Sequence, residues 1–289
     1  MQELMDTSWK CSPSMDVGIL CGCDQAQEWL LPWWWEKYTR YNSFPVMFCD
    51  FGMSEIARNW CCERGIVTSI FFNERLIKHP RDVPAKLKRT WKWAPKDYWE
   101  SRSALFKKPF GMLASPFKVS VWLDVDCEVL RPLDSLFDYC DQASLALAKT
   151  VGKLSCGLCQ GSDVHNGGVV VFRHGIDIIE KQAELIKESN HLFYAEDNVL
   201  SYLIEKMNFS IGILPNEWNW QISDWGLFMF AYIAHWNFAA KKLLHFCDGM
   251  QSFCESMDQT TILPISAWQR AEALGFTLPP REQHIITGI

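Results

Sequence analysis

The sequence predicts an α/β fold whose central sheet is mostly parallel and covered by helices on both faces. Three observations carry that expectation. Short apolar runs without alternation, VGILCGC at 17–23 and FPVMFCD at 44–50, read as strands buried on both sides. Each precedes a stretch with helical spacing, EWLLPWWWEKYTRYN at 28–42 and SEIARNWCCERG at 54–65, the second stopped by Gly65. The rhythm continues into IVTSIFF at 66–72, and strands that alternate with helices pair in parallel through crossovers. In such sheets ligands lie beyond the carboxyl ends of the strands.

Further along, KHPRDVPAKLKRTWKWAPKD at 78–97 breaks the rhythm and reads as a long basic loop over the site. WESRSALFKKPFGMLASP at 99–116 resumes as a helix interrupted at Pro109, and VSVWLDVD at 119–126 is the next strand. RPLDSLFDYC at 131–140 reads as a short helix and ASLALAKT at 143–150 as a strand. The Gly- and Cys-rich 151–163 reads as a loop before HNGGVVVFRHG at 165–175, a strand and a turn. Helices follow at 176–189 and 195–206, and FMFAYIAHWN at 228–237 reads as a strand ending at His235. No linker or internal repeat divides the 289 residues, so one domain is expected across 1–289.

Composition sets limits. With 48% hydrophobic and 21% charged residues the chain suits a soluble globular protein, and its net charge of −6 gives no pull toward nucleic acid or anionic membrane. No apolar run reaches the ~18–20 residues of a membrane span. The polar start MQELMDTSWK is no secretory signal, and Cys21, Cys23, Cys49, Cys61 and Cys62 sit inside apolar runs as reduced thiols would. A cytoplasmic protein is expected. The pair in CGLC (156–159) has no second pair to complete a zinc site.

The chemistry concentrates at VWLDVDCEVLRP. Asp124 and Asp126 stand at i and i+2 at the end of a buried strand, and an extended chain points both to one side. Two carboxylates aimed at one point repel unless one is protonated or a cation lies between them. Oxygen ligands of this kind suit Mg²⁺ or Mn²⁺. A D-x-D also opens haloacid-dehalogenase-type phosphatases, but near the chain start and with Thr or Val where this chain has Glu128.

VWLDVDCEVLRPLDSLFD resembles the nucleotide-sugar-binding segment of the GT-A glycosyltransferases, most nearly family eight and its relatives. The likeness covers roughly residues 16–245. The opening strand, acidic turn and helix are similar to the family's own. FKKPFGMLASP matches the helix whose Lys precedes the D-x-D strand, HNGGVVVF the F-N-[SA]-G-V strand, AEDNVLSYLI the D-Q-x-x-L helix, and FAYIAHWNFAAKK the late strand ending in a metal-binding His. The resemblance implies the GT-A (nucleotide-diphospho-sugar transferase) fold, with a nucleotide-binding half at about 16–125, a donor-sugar and acceptor half at about 126–250, and a C-terminal tail at 251–289.

It further implies a nucleotide-sugar donor, a UDP-hexose above all, with Mn²⁺ or Mg²⁺ held by Asp124, Asp126 and His235. Asp124 also meets the ribose. Cys23 and Asp24 fall where the family binds base and ribose, and Arg102 and Lys107 where it approaches the donor. Gly167 and Gly168 allow close approach of the backbone, Asn166 can bind sugar hydroxyls, and Asp197 is placed beside the anomeric carbon. The family continues His-aromatic-x-Gly and then Lys-Pro-Trp. This chain has His235-Trp236-Asn237-Phe238 and then Lys241-Lys242, so Lys241 or Lys242 is left to supply positive charge. The family retains anomeric configuration; an inverting enzyme would need a carboxylate base, for which Glu217 and Asp224 are candidates. Asn198 replaces the family's Gln. The acceptor (glycan, lipid or protein) stays open, with the 78–97 loop and the Trp-rich 216–225 as surfaces to meet it. A catalytically silent sugar-nucleotide-binding module on the same scaffold is the alternative. A nucleotidyltransferase is disfavoured because CDQAQEWL (23–30) has no Gly, Lys or Arg.

Overall fold

The computed structural model describes residues 12–78, 80–91, 98–158, 160–256 and 265–279. Its main sheet has seven strands in the order β3-β2-β1-β4-β7-β6-β8. These are β1 (Met15–Cys23), β2 (Val46–Asp50), β3 (Ile66–Ser69), β4 (Phe117–Leu123), β6 (Leu145–Ser155), β7 (Gln160–Arg173) and β8 (Gly212–Ile213), while β5 (Cys127–Val129), β9 (Trp220–Gln221) and β10 (Ile233–His235) form a small second sheet. β3, β2, β1 and β4 pair in parallel, and β7 alone runs against the rest. The mostly parallel expectation holds.

Period-two alternation sorts side chains to the two faces. Ile19, Cys21 and Cys23 of β1, Val121 and Leu123 of β4, and Val169 and Val171 of β7 join one core. Leu20, Trp122, Val170 and Phe172, their immediate neighbours in sequence, join the other. Helix α1 (Leu31–Thr39), α2 (Glu55–Cys62) and α10 (Ala267–Ala273) add Trp33, Trp34, Cys61 and Ala271 to the first. The second is covered by α4 (Tyr98–Leu113), α6 (Asp177–Ser189) and α7 (Glu196–Lys206). The remaining helices are short: α3 (Ala85–Thr90), α5 (Tyr139–Gln142), α8 (Ile222–Trp225) and α9 (Met250–Ser256).

Four expectations change. Helix α4 runs through Pro109 without ending there. The 151–163 stretch is the outer part of a β6–β7 hairpin with register shifts rather than an open loop, Cys159 lying outside the described residues. Only Ile233–His235 of the 228–237 strand forms. Within 78–97, Val83, Leu87 and Trp91 of the α3 region pack on Leu192 and Tyr194; residues 79 and 92–97 lie outside the described residues.

Candidate active site

The acidic motif sits in a turn. β4 ends at Leu123, and Cys127 N–H donates to the Asp124 carbonyl at 2.9 Å, closing a tight turn before β5. The turn, not strand alternation, sets where the two carboxylates go: each approaches His235, while Val125 between them is buried in the first core. Backbone hydrogen bonds then fasten two distant segments to it. Asp124 N–H donates to the Gly168 carbonyl and Trp236 N–H to the Asp126 carbonyl, both at 2.9 Å. The antiparallel pairing of β5 with β10 sets His235 opposite Cys127. As a result His235 Nε2 lies 3.3 Å from Asp126 Oδ1 and 3.9 Å from Asp124 Oδ2.

Two lysines, Lys108 buried and Lys241 half-buried, balance the acids. Lys108 Nζ is 2.8 Å from Asp124 Oδ1 and 2.6 Å from Glu196 Oε1, and donates to the Gly167 carbonyl at 3.1 Å. Lys241 Nζ is 2.7 Å from Asp126 Oδ2 and donates to Gln27 Oε1 at 3.3 Å. Trp122 Nε1–H donates to Asp124 Oδ1 at 2.7 Å. Burial works against the Asp126 carboxylate, yet Lys241 and His235 hold it well below the usual range. Burial likewise opposes charge on Lys108 and Lys241, and the carboxylates of Asp124 and Glu196 on one, Asp126 on the other, raise both above the ordinary lysine value. Asp197 is pushed up to about 7, first by burial and then by Glu196, with Lys108 opposing. Asp24 is raised by burial, with Lys107 and Lys241 within electrostatic reach to oppose it.

Asp126 and His235 fit a divalent cation, and Asp124, outside the group whose ligand atoms all lie within 4.8 Å of one another, would have to turn toward it. Around Mg²⁺ with ~2.1 Å bonds, neighbouring octahedral ligands stand roughly 3 Å apart. The 3.3 Å between His235 Nε2 and Asp126 Oδ1 matches that spacing, whereas Asp124 Oδ2, 3.9 Å from Nε2, also accepts from Lys108 at 3.2 Å. Lys241 lies on the other oxygen of Asp126, leaving Oδ1 to face the imidazole. Cys127 also lies close, its sulfur within 4.8 Å of ligand atoms of Asp126 and His235. Burial pushes that thiol well up and it donates to the Gly168 carbonyl at 3.5 Å, so it stays protonated and is a poor ligand.

Other expected residues fall in three groups. Gly167 stands where a Cβ would lie 3.0 Å from Glu196 Oε1 and 3.2 Å from Lys108 Nζ, which places Asp197 and the lysine beside bare backbone. Gly168 lies under the His235 ring, and a Cβ there would overlap Cε1 and Nδ1. Lys107 donates to the Phe51 carbonyl at 2.7 Å at the carboxyl end of β2, on the Asp24 side.

Two assignments are corrected. The guanidinium of Arg102, wholly buried, donates to the carbonyls of Asn190 at 2.6 Å and Phe193 at 2.8 Å and lies over the Phe106 ring. It ties α4 to the segment before α7 instead of reaching toward a donor. Cys23, 3% exposed, is packed in the core by the alternation of β1. Asn166 is brought to the site, but its Oδ1 already accepts from Gly168 N–H and from Asn219 Nδ2, both at 2.8 Å.

Glu128 leaves the acidic cluster altogether. It accepts from Trp236 Nε1 at 2.9 Å and from Met250 N–H at 2.8 Å, at the start of α9. Lys37 stands 3.7 Å away and bridges to Asp248 at 2.8 Å, which Arg270 also meets at 2.9 Å. This ionic chain fastens the start of α9 and Arg270 of α10 to α1 and β5. Sequence reasoning missed Lys108, Glu196 and Asn219. The Lys107-Lys108 pair signalled a cation there, but helical spacing alone did not choose between neighbours about 100° apart.

No family model matches the sequence, and no curated protein matches it significantly. Solved structures do share its fold. The galactosyltransferase LgtC, determined with donor and acceptor sugar analogs, superposes with a TM-score of 0.56 at 15% identity, over 86% of this chain and 97% of that one. WbbM, a bifunctional glycosyltransferase, gives 0.56 at 12% identity over 93% of this chain and 53% of its own. The glycosyltransferase GlyE of Streptococcus pneumoniae TIGR4 gives 0.52 at 16%, over 93% and 66%. With its strand order and its paired acids after β4, the chain has the GT-A fold that its sequence resembles.

Proposed function

We propose that the protein is a metal-dependent glycosyltransferase that moves a hexose from a nucleoside-diphosphate sugar, a UDP-hexose in the first instance, to an acceptor with retention of configuration. One observation carries the reading: Asp124 and Asp126, more than a hundred residues before His235, set carboxylate oxygens 3.9 and 3.3 Å from its Nε2. The likeness to structures named as glycosyltransferases supports it. Mn²⁺ or Mg²⁺ would be held by these three side chains, and when bound would act as a Lewis acid on the departing diphosphate.

The chain's own groups divide the remaining work. Lys241 and Lys107 place fixed positive charge on the diphosphate side, where negative charge grows as the glycosidic bond breaks. Asp24 is set to accept from base or ribose. Lys108 and Glu196 hold Asp197 beside Gly167, where bare backbone lets the donor sugar approach. At pH below about 7 the Asp197 carboxyl keeps its proton and can donate to a sugar hydroxyl as well as accept from one. Asp224, the candidate base for an inverting route, lies within electrostatic reach of His235. Glycan, lipid and protein acceptors fit this reading equally. We place the protein in the cytoplasm, in keeping with its free, mostly buried thiols.

The test is incubation with a panel of nucleotide sugars, with and without Mn²⁺, reading nucleotide release. Wild type releases UDP only with metal, and Asp126→Ala loses ~10²-fold or more. UDP binding without release under any acceptor offered would favour the silent binding module. Metal-independent turnover unaffected by Asp126→Ala would overturn the site.

A further inference from the structure

Asn166 was expected to serve a sugar hydroxyl, but its amide is held by the protein itself. Gly168 N–H and Asn219 Nδ2 both donate to Asn166 Oδ1 at 2.8 Å, and Asn219 Oδ1 lies 3.1 Å from His235 Nδ1. Asn219 is fully buried, so solvent offers its amide no other partner.

The chain of bonds has one consistent polarity. A backbone N–H can only donate, so the Asn166 atom that faces Gly168 is its oxygen. The Asn219 atom facing that oxygen must then be its amide nitrogen. That leaves the Asn219 oxygen toward His235, and an amide oxygen only accepts, so Nδ1 carries the hydrogen. In the neutral ring this puts the lone pair on Nε2, on the side of Asp126 and Asp124.

We propose that Asn219 is a positioning residue. It transmits the polarity of the Gly168 backbone through Asn166 to His235, fixing the ring's orientation and its Nδ1–H tautomer so that Nε2 is presented as a ligand. Outer-shell partners of a ligating imidazole commonly act this way. The glycine serves twice, since its N–H starts the relay and its missing Cβ makes room for the ring. The role as ligand support rests on the proposed ion site, whereas the tautomer is a property of the protein alone.

The experiment reads both. Long-range ¹H–¹⁵N correlation on the metal-free protein, at alkaline pH where imidazoles are neutral, reports which nitrogen of His235 is protonated; a His235→Gln sample assigns the signal. Mn²⁺ binding is measured separately by calorimetry without donor. Wild type shows Nδ1–H. Asn219→Leu loses that tautomer preference and binds Mn²⁺ about 10- to 100-fold more weakly. Asn219→Asp, whose carboxylate still accepts from Nδ1–H, keeps the tautomer and binds more tightly than the leucine variant. A wild-type Nε2–H tautomer overturns the relay, and this measurement decides the matter should Asn219→Leu not fold. Unchanged tautomer and Mn²⁺ affinity in Asn219→Leu also overturn it. An Nδ1–H wild type that binds no Mn²⁺ upholds the relay and sinks the ion site instead.

Discussion

Replacing Gly168 with alanine perturbs the site through a single methyl group. Gly168 lies within β7 and not at positive φ, so alanine meets no backbone penalty there. Its Cβ, however, would overlap Cε1 and Nδ1 of His235 and stand 2.9 Å from Asn166 Oδ1. Non-bonded carbons settle at ~3.5–4.0 Å, so the ring must withdraw by more than about 1 Å. Ligand constellations tolerate only about 0.5 Å. His235 would then drop out of the set while Asp124 and Asp126 stay in place. The expected loss of Mn²⁺ affinity is at least ~10- to 100-fold, about 1.4–2.7 kcal/mol. Overpacking should also cost ~1–3 kcal/mol of stability. Calorimetric titration with MnCl₂ gives the affinity and thermal denaturation the stability. Gly168→Ala made in a His235→Ala background should weaken Mn²⁺ binding little further, because both changes remove the same ligand. Wild-type affinity in Gly168→Ala, or full additivity in the double variant, would refute the reasoning.

Three other outcomes are expected. Glu128→Leu strands the buried Trp236 and Met250 N–H donors and leaves Lys37 with Asp248 alone, so it should destabilise by ~3–5 kcal/mol in urea unfolding while Mn²⁺ affinity in the folded fraction is unchanged. Arg102→Lys cannot keep both carbonyl contacts of the fork and should lower stability by ~1–3 kcal/mol with KM for the nucleotide sugar unmoved; a rise in KM with unaltered stability would restore it as a donor contact. Asp197, displaced upward to about 7 in the folded protein, binds a proton that the unfolded chain releases near pH 4. The stability this proton contributes is full below about pH 4 and is lost as pH rises through about 7, so Tm should fall across that window in wild type. The Asp197→Asn variant should show a flatter profile there, and identical profiles for the two proteins would contradict the shift.

The fold was legible in the residues because its signals are local. Buried parallel strands are near-continuous apolar runs, and VGILCGC, FPVMFCD and VSVWLD became β1, β2 and β4 with small changes at their ends. The paired acids could be named for the same reason, as a short motif beside a strand end, whereas His235 was named from the family resemblance.

Where a side chain goes after its strand ends depends on partners far along the chain. Lys107 and Lys108 are adjacent, yet one meets the Phe51 carbonyl and the other bridges Asp124 and Glu196. Glu128 is one more acid in a D-x-D-x-E row, but the turn at 124–127 turns it toward Trp236, Met250 and Lys37. Arg102 has the charge for a phosphate and is spent on backbone carbonyls. Asn219 carries no motif at all; only the second sheet brings it between Asn166 and His235. Apolar patterning thus determined the layers, because burial depends on a residue's own chemistry and its period. The tertiary structure decided the polar roles, because hydrogen bonds and ion pairs are short-ranged and directional and exist only once distant segments are within about 3 Å.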